Sequence, residues 1–225
     1  MKTIGFLFAD EMEFKPFLEH ALQNGGSLVD EMNYNMVRMP LGDSVIYGIQ
    51  SGLGKVNAAA ATSLLVLKYG AEAVLSAGLS GAISHLHKGD IVAGSSYVEC
   101  DFDLRAFGCP LGQKLDGTRF HEADSKLLEA AMSIEGVGKA AFGTGDFFLT
   151  DPATKDFYKD EFGIQAFDME TAACAAAAGS LGVPFLSVRK ISDDADDSAL
   201  DSYHELNNLA ETALSELLLQ LAAKL

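Results

Sequence analysis

The sequence has few cysteines, no tryptophan and no segment that would separate two domains. Cys100, Cys109 and Cys174 are the three cysteines among its 225 residues. Their odd number and the lack of CxxC spacing argue against a disulfide framework and favour reduced thiols, as in a cytoplasmic protein. No linker, repeat or low-complexity tract divides the chain, so we expect a single domain over residues 1–225.

Basic residues and long apolar runs are also scarce. The chain carries 16 Lys and Arg against 32 Asp and Glu, a formal net charge of −16. Because a polyanion would be repelled at long range, we expect no nucleic acid partner. The apolar runs fall short of the roughly 20 residues that a membrane span needs, so we expect no membrane insertion. The first residues lead directly into a strand pattern, and we expect no signal peptide.

Short apolar runs alternate with segments of helical spacing along the whole chain. The patterns predict strands at residues 3–9, 34–39, 44–51, 72–78, 90–98, 139–148, 165–169 and 184–192, and helices at 11–23, 54–69, 123–134, 152–162, 170–181 and 202–225. Residues 101–120 predict a long loop of the kind that often carries function. Strands alternating with helices indicate an α/β fold, a three-layer α/β/α sandwich around a central mixed sheet.

Three acids follow predicted strands at the point where each strand ends. Glu13 comes after the first strand, Glu170 closes the run that begins at Phe167, and Asp193 ends the run that begins at Pro184. Ligands of such sheets bind at the carboxyl ends of the strands, so these acids are candidates for acid–base chemistry. Each acid also has a purely structural interpretation, because carboxylates stabilise helix starts and cap loops.

Other motifs are weaker. Ser51-Gly-Leu-Gly-Lys55 has one residue between its glycines and is followed by Val56, so a nucleotide-binding P-loop is not expected and a tight turn before a helix is favoured. His85 and His87 could be metal ligands, but Lys88 lies beside them. Residues 194–205 mimic a calcium loop but lack its central glycine. We expect no metal and no cofactor.

The order of motifs resembles the 5′-methylthioadenosine/S-adenosylhomocysteine nucleosidase family within the nucleoside phosphorylase superfamily. The resemblance covers nearly the whole chain. It rests on Ile4-Gly-Phe-Leu-Phe-Ala-Asp-Glu-Met-Glu13, Ser51-Gly-Leu-Gly-Lys-Val56, Ala77-Gly-Leu-Ser-Gly81, Lys88-Gly-Asp-Ile-Val92, Arg105-Ala-Phe-Gly108, Thr144-Gly-Asp-Phe-Phe148, Asp168-Met-Glu170 and Val188-Arg-Lys-Ile-Ser-Asp193. It implies a nucleoside phosphorylase-like fold.

The resemblance also implies an activity: hydrolysis of the N-glycosidic bond of 5′-methylthioadenosine, S-adenosylhomocysteine or a related adenine nucleoside. Asp193 would protonate N7 of the leaving adenine. Glu13 would activate the attacking water, and Glu170 would accept hydrogen bonds from the ribose hydroxyls.

The same resemblance implies further substrate-binding residues, with Phe107 reaching the site of a neighbouring subunit in a homodimer. Arg189 would lie near the catalytic water, and Phe148 would stack on the base. The implied substrate-binding residues are Leu53, Leu79, Ser80, Gly81, Phe107, Phe148, Leu149, Met169, Arg189, Ser192 and Tyr203.

The chain departs from the family pattern at four positions. Leu79 replaces a hydroxyl residue, Ala82 a glycine, Asp10 a methionine and Asp168 a glutamate. These departures leave the substrate open, with 6-amino-6-deoxyfutalosine and 5′-deoxyadenosine as alternatives. Two other functions also stay open at this point: a phosphate-dependent purine nucleoside phosphorylase and a non-catalytic purine-nucleoside-binding protein.

Overall fold

A computed structural model describes residues 2–195 and 212–225. Within these ranges the strands are β1 (Lys2–Phe8), β2 (Ser27–Leu28), β3 (Asn35–Leu41), β4 (Ser44–Gln50), β5 (Ala73–Ala82), β6 (Ile91–Glu99), β7 (His121–Glu122), β8 (Val137–Thr144), β9 (Ala166–Asp168) and β10 (Phe185–Asp193). The helices are α1 (Glu11–Gln23), α2 (Lys55–Leu67), α3 (Ser125–Met132), α4 (Pro152–Phe162), α5 (Thr171–Ser180) and α6 (Thr212–Ala222). Tyr203 and most of the acidic segment 194–205 lie outside the described residues.

The strands form one mixed sheet that partly closes on itself. β1 lies parallel to β4 and β5, and β5 lies parallel to β10. The sheet closes through β10, β6, β8 and β9, because β9 pairs antiparallel with the end of β5 at Gly81–Phe167. The carboxyl ends of β1, β5 and β10 therefore share one edge, and the end of β9 meets them there.

Alternating side chains along the strands divide the core into two layers. Phe6 and Phe8 of β1 pack with α1, α3 and α6, whereas Leu7 packs with α2 and α5. A third apolar cluster, which includes Phe162 of α4, lies beside the loop that follows β6. The expected three-layer α/β/α sandwich with a central mixed sheet is confirmed.

Several predicted boundaries differ from the structure. β8 ends at Thr144 instead of residue 148, because Gly145 turns and donates its N–H to the carbonyl of Asp168. β5 continues to Ala82 instead of stopping at residue 78, since β10 and β9 pair with its last residues. The two-residue strands β2 and β7 were not predicted, and the loop at residues 101–120 contains a 3₁₀ turn, Arg105–Phe107.

Asp side chains cap the starts of α1, α3 and α4. Asp10 caps α1 by accepting the N–H of Glu13, and the Glu13 carboxylate accepts the N–H of Asp10 in return, a capping box. Asp151 caps α4, and Pro152 occupies its first turn, where its missing N–H costs no hydrogen bond. No helix in the described part of the chain is long and apolar enough to cross a membrane.

Candidate active site

A cavity of about 370 Å³ lies at the shared strand edge. Glu13, Glu170 and Asp193 all line it, although they come from distant parts of the chain. The other residues of its wall are Ala9, Asp10, Leu53, Leu79, Ser80, Gly81, Phe147, Phe148, Leu149, Phe167, Asp168, Met169, Ser192 and Ala195. The sheet therefore brings the three predicted acids into one cavity.

Glu13 lies in the first turn of α1, and backbone donors fix its carboxylate. Oε1 accepts the N–H of Leu79 at 2.9 Å, and Oε2 accepts the N–H of Ala9 at 3.0 Å. Gly78 leaves room for this carboxylate, because a Cβ at that position would lie 2.6 Å from Oε1. Desolvation and the negative charge of Asp10 together raise the pKa of Glu13 to about 7.

Glu170 stands at the N-cap of α5 and reaches the start of α2. Its Oε1 accepts the N–H of Gly54 at 2.9 Å, across 116 residues of sequence. Gly54 adopts a φ of 90°, a backbone conformation that favours glycine. Burial, and then the charge of Asp168, raise the pKa of Glu170 to about 8.

Asp168 and Arg189 form a buried ion pair beside the cavity. Arg189 Nε lies 3.3 Å from Asp168 Oδ2, and both side chains are 2% exposed. Asp168 Oδ1 also accepts the backbone N–H groups of Glu170 and Thr171, each at 3.0 Å. Asp168 thus fixes the start of α5, and Arg189 supplies the positive charge that accompanies it into the core.

Asp193 ends β10 and is held by its neighbours. Ser192 Oγ donates to Asp193 Oδ2 at 2.5 Å, and the N–H of Ala195 donates to Oδ1 at 2.8 Å. Gly81 faces the same carboxylate, since a Cβ there would lie 2.9 Å from Oδ1. The Asp193 carboxyl group is therefore held at the cavity wall, in the space left by the absence of a side chain on Gly81.

The apolar part of the wall is formed by a few aliphatic and aromatic residues. Leu149 is buried, whereas Phe148 and Leu53 are 41% and 57% exposed. Phe148 follows the turn after β8, not the strand itself. The wall described by residues 2–195 and 212–225 includes five acids and no Lys or Arg.

Comparison with known proteins fits this arrangement. The chain matches the phosphorylase superfamily over residues 3–223. It is 34% identical, over 88% of its length and 89% of the relative's, to a 5′-methylthioadenosine/S-adenosylhomocysteine nucleosidase of Shewanella piezotolerans. The chain belongs to this nucleosidase family.

Two solved structures from Helicobacter pylori resemble the chain over the full length of both proteins. One is a mutant of the nucleosidase of this family with 5′-methylthioadenosine in its active site, with a TM-score of 0.95 and 26% identity. The other is a futalosine hydrolase mutant, also with a TM-score of 0.95 and 26% identity. The nucleoside phosphorylase-like fold expected from the resemblance is confirmed.

Two of the predicted binding residues do not line the cavity of this chain. Arg189 is buried and does not line it, and it contacts Asp168 and Ser76 instead. Phe107 lies on the 3₁₀ turn and is 73% exposed on this chain. Tyr203 falls outside the described residues.

Sequence reasoning missed other contributions to the site. Phe147, Phe167 and Ala195 line the cavity without having been predicted. Phe147 could have been predicted from the sequence only by its position next to Phe148. The N–H of Gly54 was also missed, because a tight turn before a helix does not show what its donors face.

Proposed function

We propose that this protein hydrolyses the N-glycosidic bond of 5′-methylthioadenosine, S-adenosylhomocysteine or a closely related adenine nucleoside, releasing adenine. The observation that carries the proposal is the convergence of Glu13, Glu170 and Asp193 on one cavity. Family membership supports the reaction class, and the geometry of the three carboxyl groups supports a role for each.

In the proposed reaction the bond from C1′ to N9 breaks while a bond forms between C1′ and a water oxygen. Asp193, held by Ser192 and the N–H of Ala195, donates a proton to N7, so adenine leaves as a neutral base. Glu13 takes the proton of the attacking water. Its pKa of about 7 suits a general base that works near neutral pH.

Glu170 stabilises the ribose as positive charge develops on it, as carboxylates do in glycosidases. Its pKa of about 8 means that the free protein holds much of this group protonated at neutral pH. Hydroxyl donors and a developing cation both favour the ionised form. Binding of the ribose hydroxyls therefore favours release of the Glu170 proton to solvent, so that the ionised carboxylate faces the ribose when positive charge develops.

Water is the nucleophile that the charge of the cavity favours. Phosphate would have to enter beside Asp10, Glu13, Asp168, Glu170 and Asp193. Sites for phosphate normally present arginines or lysines to it. Arg189, the nearest candidate, is buried against Asp168. These charges argue against phosphorolysis.

A homodimer would complete the apolar end of the cavity. Phe107 is 73% exposed on the 3₁₀ turn, and Leu53 at the cavity rim is 57% exposed. We propose that Phe107 of one subunit covers the site of the next. A concentration-independent monomer with full activity would contradict this part of the proposal.

The test is a substrate panel assayed for free adenine by chromatography, with and without phosphate. The panel contains 5′-methylthioadenosine, S-adenosylhomocysteine, 5′-deoxyadenosine, 6-amino-6-deoxyfutalosine and adenosine. We expect phosphate-independent release of adenine from at least one 5′-substituted member. Release that requires phosphate would make the protein a phosphorylase, and tight binding without turnover would make it a nucleoside-binding protein.

A further inference from the structure

Lys55 is a partly buried lysine outside the cavity, at the start of α2. Its Nζ lies 2.7 Å from Asp101 Oδ1 and 3.3 Å from Glu99 Oε2, and 17% of its side chain is exposed. Desolvation alone would lower the pKa of Lys55, but Asp101 and Glu99 outweigh it and raise the pKa above its usual value. The ammonium therefore stays charged and anchors α2 to the end of β6.

A cation at this place opposes the helix dipole, which favours negative charge at the first turn. α2 has no acidic residue in its first turn and no side-chain cap of its own, since its N-cap is Gly54. Acids from other parts of the chain accept the N–H groups at the start of α2 instead. Asp146, from the turn after β8, accepts the N–H of Lys55 at 2.7 Å, and Glu170 accepts the N–H of Gly54 at 2.9 Å.

The N–H groups of Gly54 and Lys55 are adjacent in the chain, so a contact that fixes one of them also fixes the position of the other. Asp146 is itself tied to the same cluster, because its N–H donates to Asp101 Oδ2 at 3.0 Å. Lys55 therefore holds the turn before α2 through its own side chain, and Asp146 holds the turn by accepting the backbone N–H of Lys55. A Cβ on Gly54 would lie 3.0 Å from Asp146 Oδ1, which shows how closely the turn is seated.

We propose that Lys55 and Asp146 are positioning residues for Glu170: they hold the Gly54 N–H on the Glu170 carboxylate and thereby keep that carboxylate oriented and ionisable. The glycine-rich turn, which the sequence shows not to be a P-loop, then binds a carboxylate of its own chain where a P-loop binds phosphate. This inference rests on the proposed role of Glu170.

Burial and the charges of Asp168 and Glu13 raise the pKa of Glu170, whereas the Gly54 hydrogen bond and the charge of Arg189 lower it. Loosening the turn therefore lets that pKa rise, so a smaller fraction of Glu170 is ionised at neutral pH. A positioning defect then has a signature that general destabilisation lacks: the activity lost at neutral pH returns as the pH is raised.

The experiment measures kcat and KM for adenine release by Lys55→Met between pH 5 and 9, beside wild type and Lys55→Arg. We expect the acidic limb of the kcat/KM profile to move up by about one pH unit, a roughly tenfold loss on that limb, as for the loss of one hydrogen bond to a charged group. We expect KM to change less than kcat and Lys55→Arg to keep the wild-type limb. A loss that is equal at every pH, or no loss, overturns the proposal.

Lys68→Met is the matched control, because Lys68 caps the other end of α2 and pairs with the buried Glu31 at 2.5 Å. We expect it to lower stability without moving the limb. Asp146→Ala is the second variant, chosen because Asp146 is exposed and its loss leaves the core intact. It should move the limb as Lys55→Met does, whereas Asp146→Asn keeps an acceptor oxygen and should move it less. A wild-type profile for Asp146→Ala overturns the proposal.

Glu170→Gln separates this inference from the function on which it rests. If Glu170→Gln keeps a rate within a few-fold of wild type, the role of Glu170 is wrong, whatever Lys55→Met does. If Glu170→Gln is inactive and Lys55→Met has an unshifted profile, the role of Glu170 stands and that of Lys55 falls.

Discussion

Replacing Gly78 with alanine tests how tightly the Glu13 carboxylate is fixed. Gly78 lies in β5 and its backbone conformation is open to any residue, so the main chain tolerates the change. The new Cβ would lie 2.6 Å from Glu13 Oε1 and 3.0 Å from Oε2 and Cδ. These atoms end a flexible side chain, so the fold survives by moving the carboxylate.

That movement breaks the hydrogen bond from the Leu79 N–H, which measures 2.9 Å. Hydrogen bonds to charged groups contribute about 1.5–3 kcal/mol, so loss of this one should lower kcat roughly 10- to 150-fold. The Leu79 bond also lowers the pKa of Glu13, so that pKa should rise above about 7 in the variant. We expect an acidic limb that is shifted upward, with a melting temperature close to that of wild type.

The assay is adenine release over a pH series, with Gly138→Ala as control. Gly138 is also a strand glycine, but a Cβ there would lie 3.4 Å from Val92 Cγ1 and 3.7 Å from the Ile91 carbonyl oxygen, both ordinary contacts. Adding Glu13→Gln to Gly78→Ala should cost little beyond Glu13→Gln alone, since both act on one group. Wild-type turnover and pH profile in Gly78→Ala would refute the reasoning.

Three further predictions concern the other charged groups. Asp193→Asn should still bind nucleoside in a thermal-shift assay while losing roughly 10²–10⁴ in turnover, since an amide cannot supply the proton, and a rate within a few-fold of wild type would remove Asp193 from its role. Because the folded-state pKa of Glu170 is raised from 4.5 to about 8, the folded state binds its proton more tightly and this group lowers stability as pH rises through that range. Glu170→Gln should therefore melt higher than wild type at pH 8 but not at pH 4, and an equal difference at both would count against the shift. Arg189→Met leaves the buried Asp168 without its cation and should lower the free energy of unfolding in denaturant by about 3–5 kcal/mol, and a change under about 1 kcal/mol would disprove that the pair is buried as described.

Local patterns were enough to predict the acids at strand ends. The three acids lie at or after the ends of apolar strands: Glu13 after β1, Glu170 after β9 and Asp193 at the end of β10. The composition and spacing of these apolar runs predict the strands from the sequence. The convergence of Glu13 and Asp193 follows from the parallel pairing of β1, β5 and β10, which α/β alternation favours. The part of the site that depends on the parallel strands was therefore predictable.

The contacts that tune the site were not predictable, because they join segments far apart in sequence. Nothing around Gly54 indicates that its N–H faces Glu170, and nothing around Leu79 indicates that its N–H faces Glu13. Arg189 has the charge of a surface residue, but β10 is covered on both sides and its side chain is enclosed with Asp168. The antiparallel return of β9 onto β5, which closes the sheet, likewise leaves no local signal.

The charges of the site are arranged so that five acids in one cavity lower the stability of the fold less than their number suggests. Asp168 faces Arg189 and backbone donors, so its charge is compensated within the fold. Glu13 and Glu170, whose pKa values are raised to about 7 and 8, hold protons in the free state through much of the neutral range. In the proposed reaction the negative charge of Glu170 becomes favourable when positive charge appears on the ribose of a bound nucleoside, whereas the ionised form of Glu13 accepts the proton of the attacking water. An anion would meet the same groups without that gain, so the electrostatics that keep the empty site stable also favour water over phosphate.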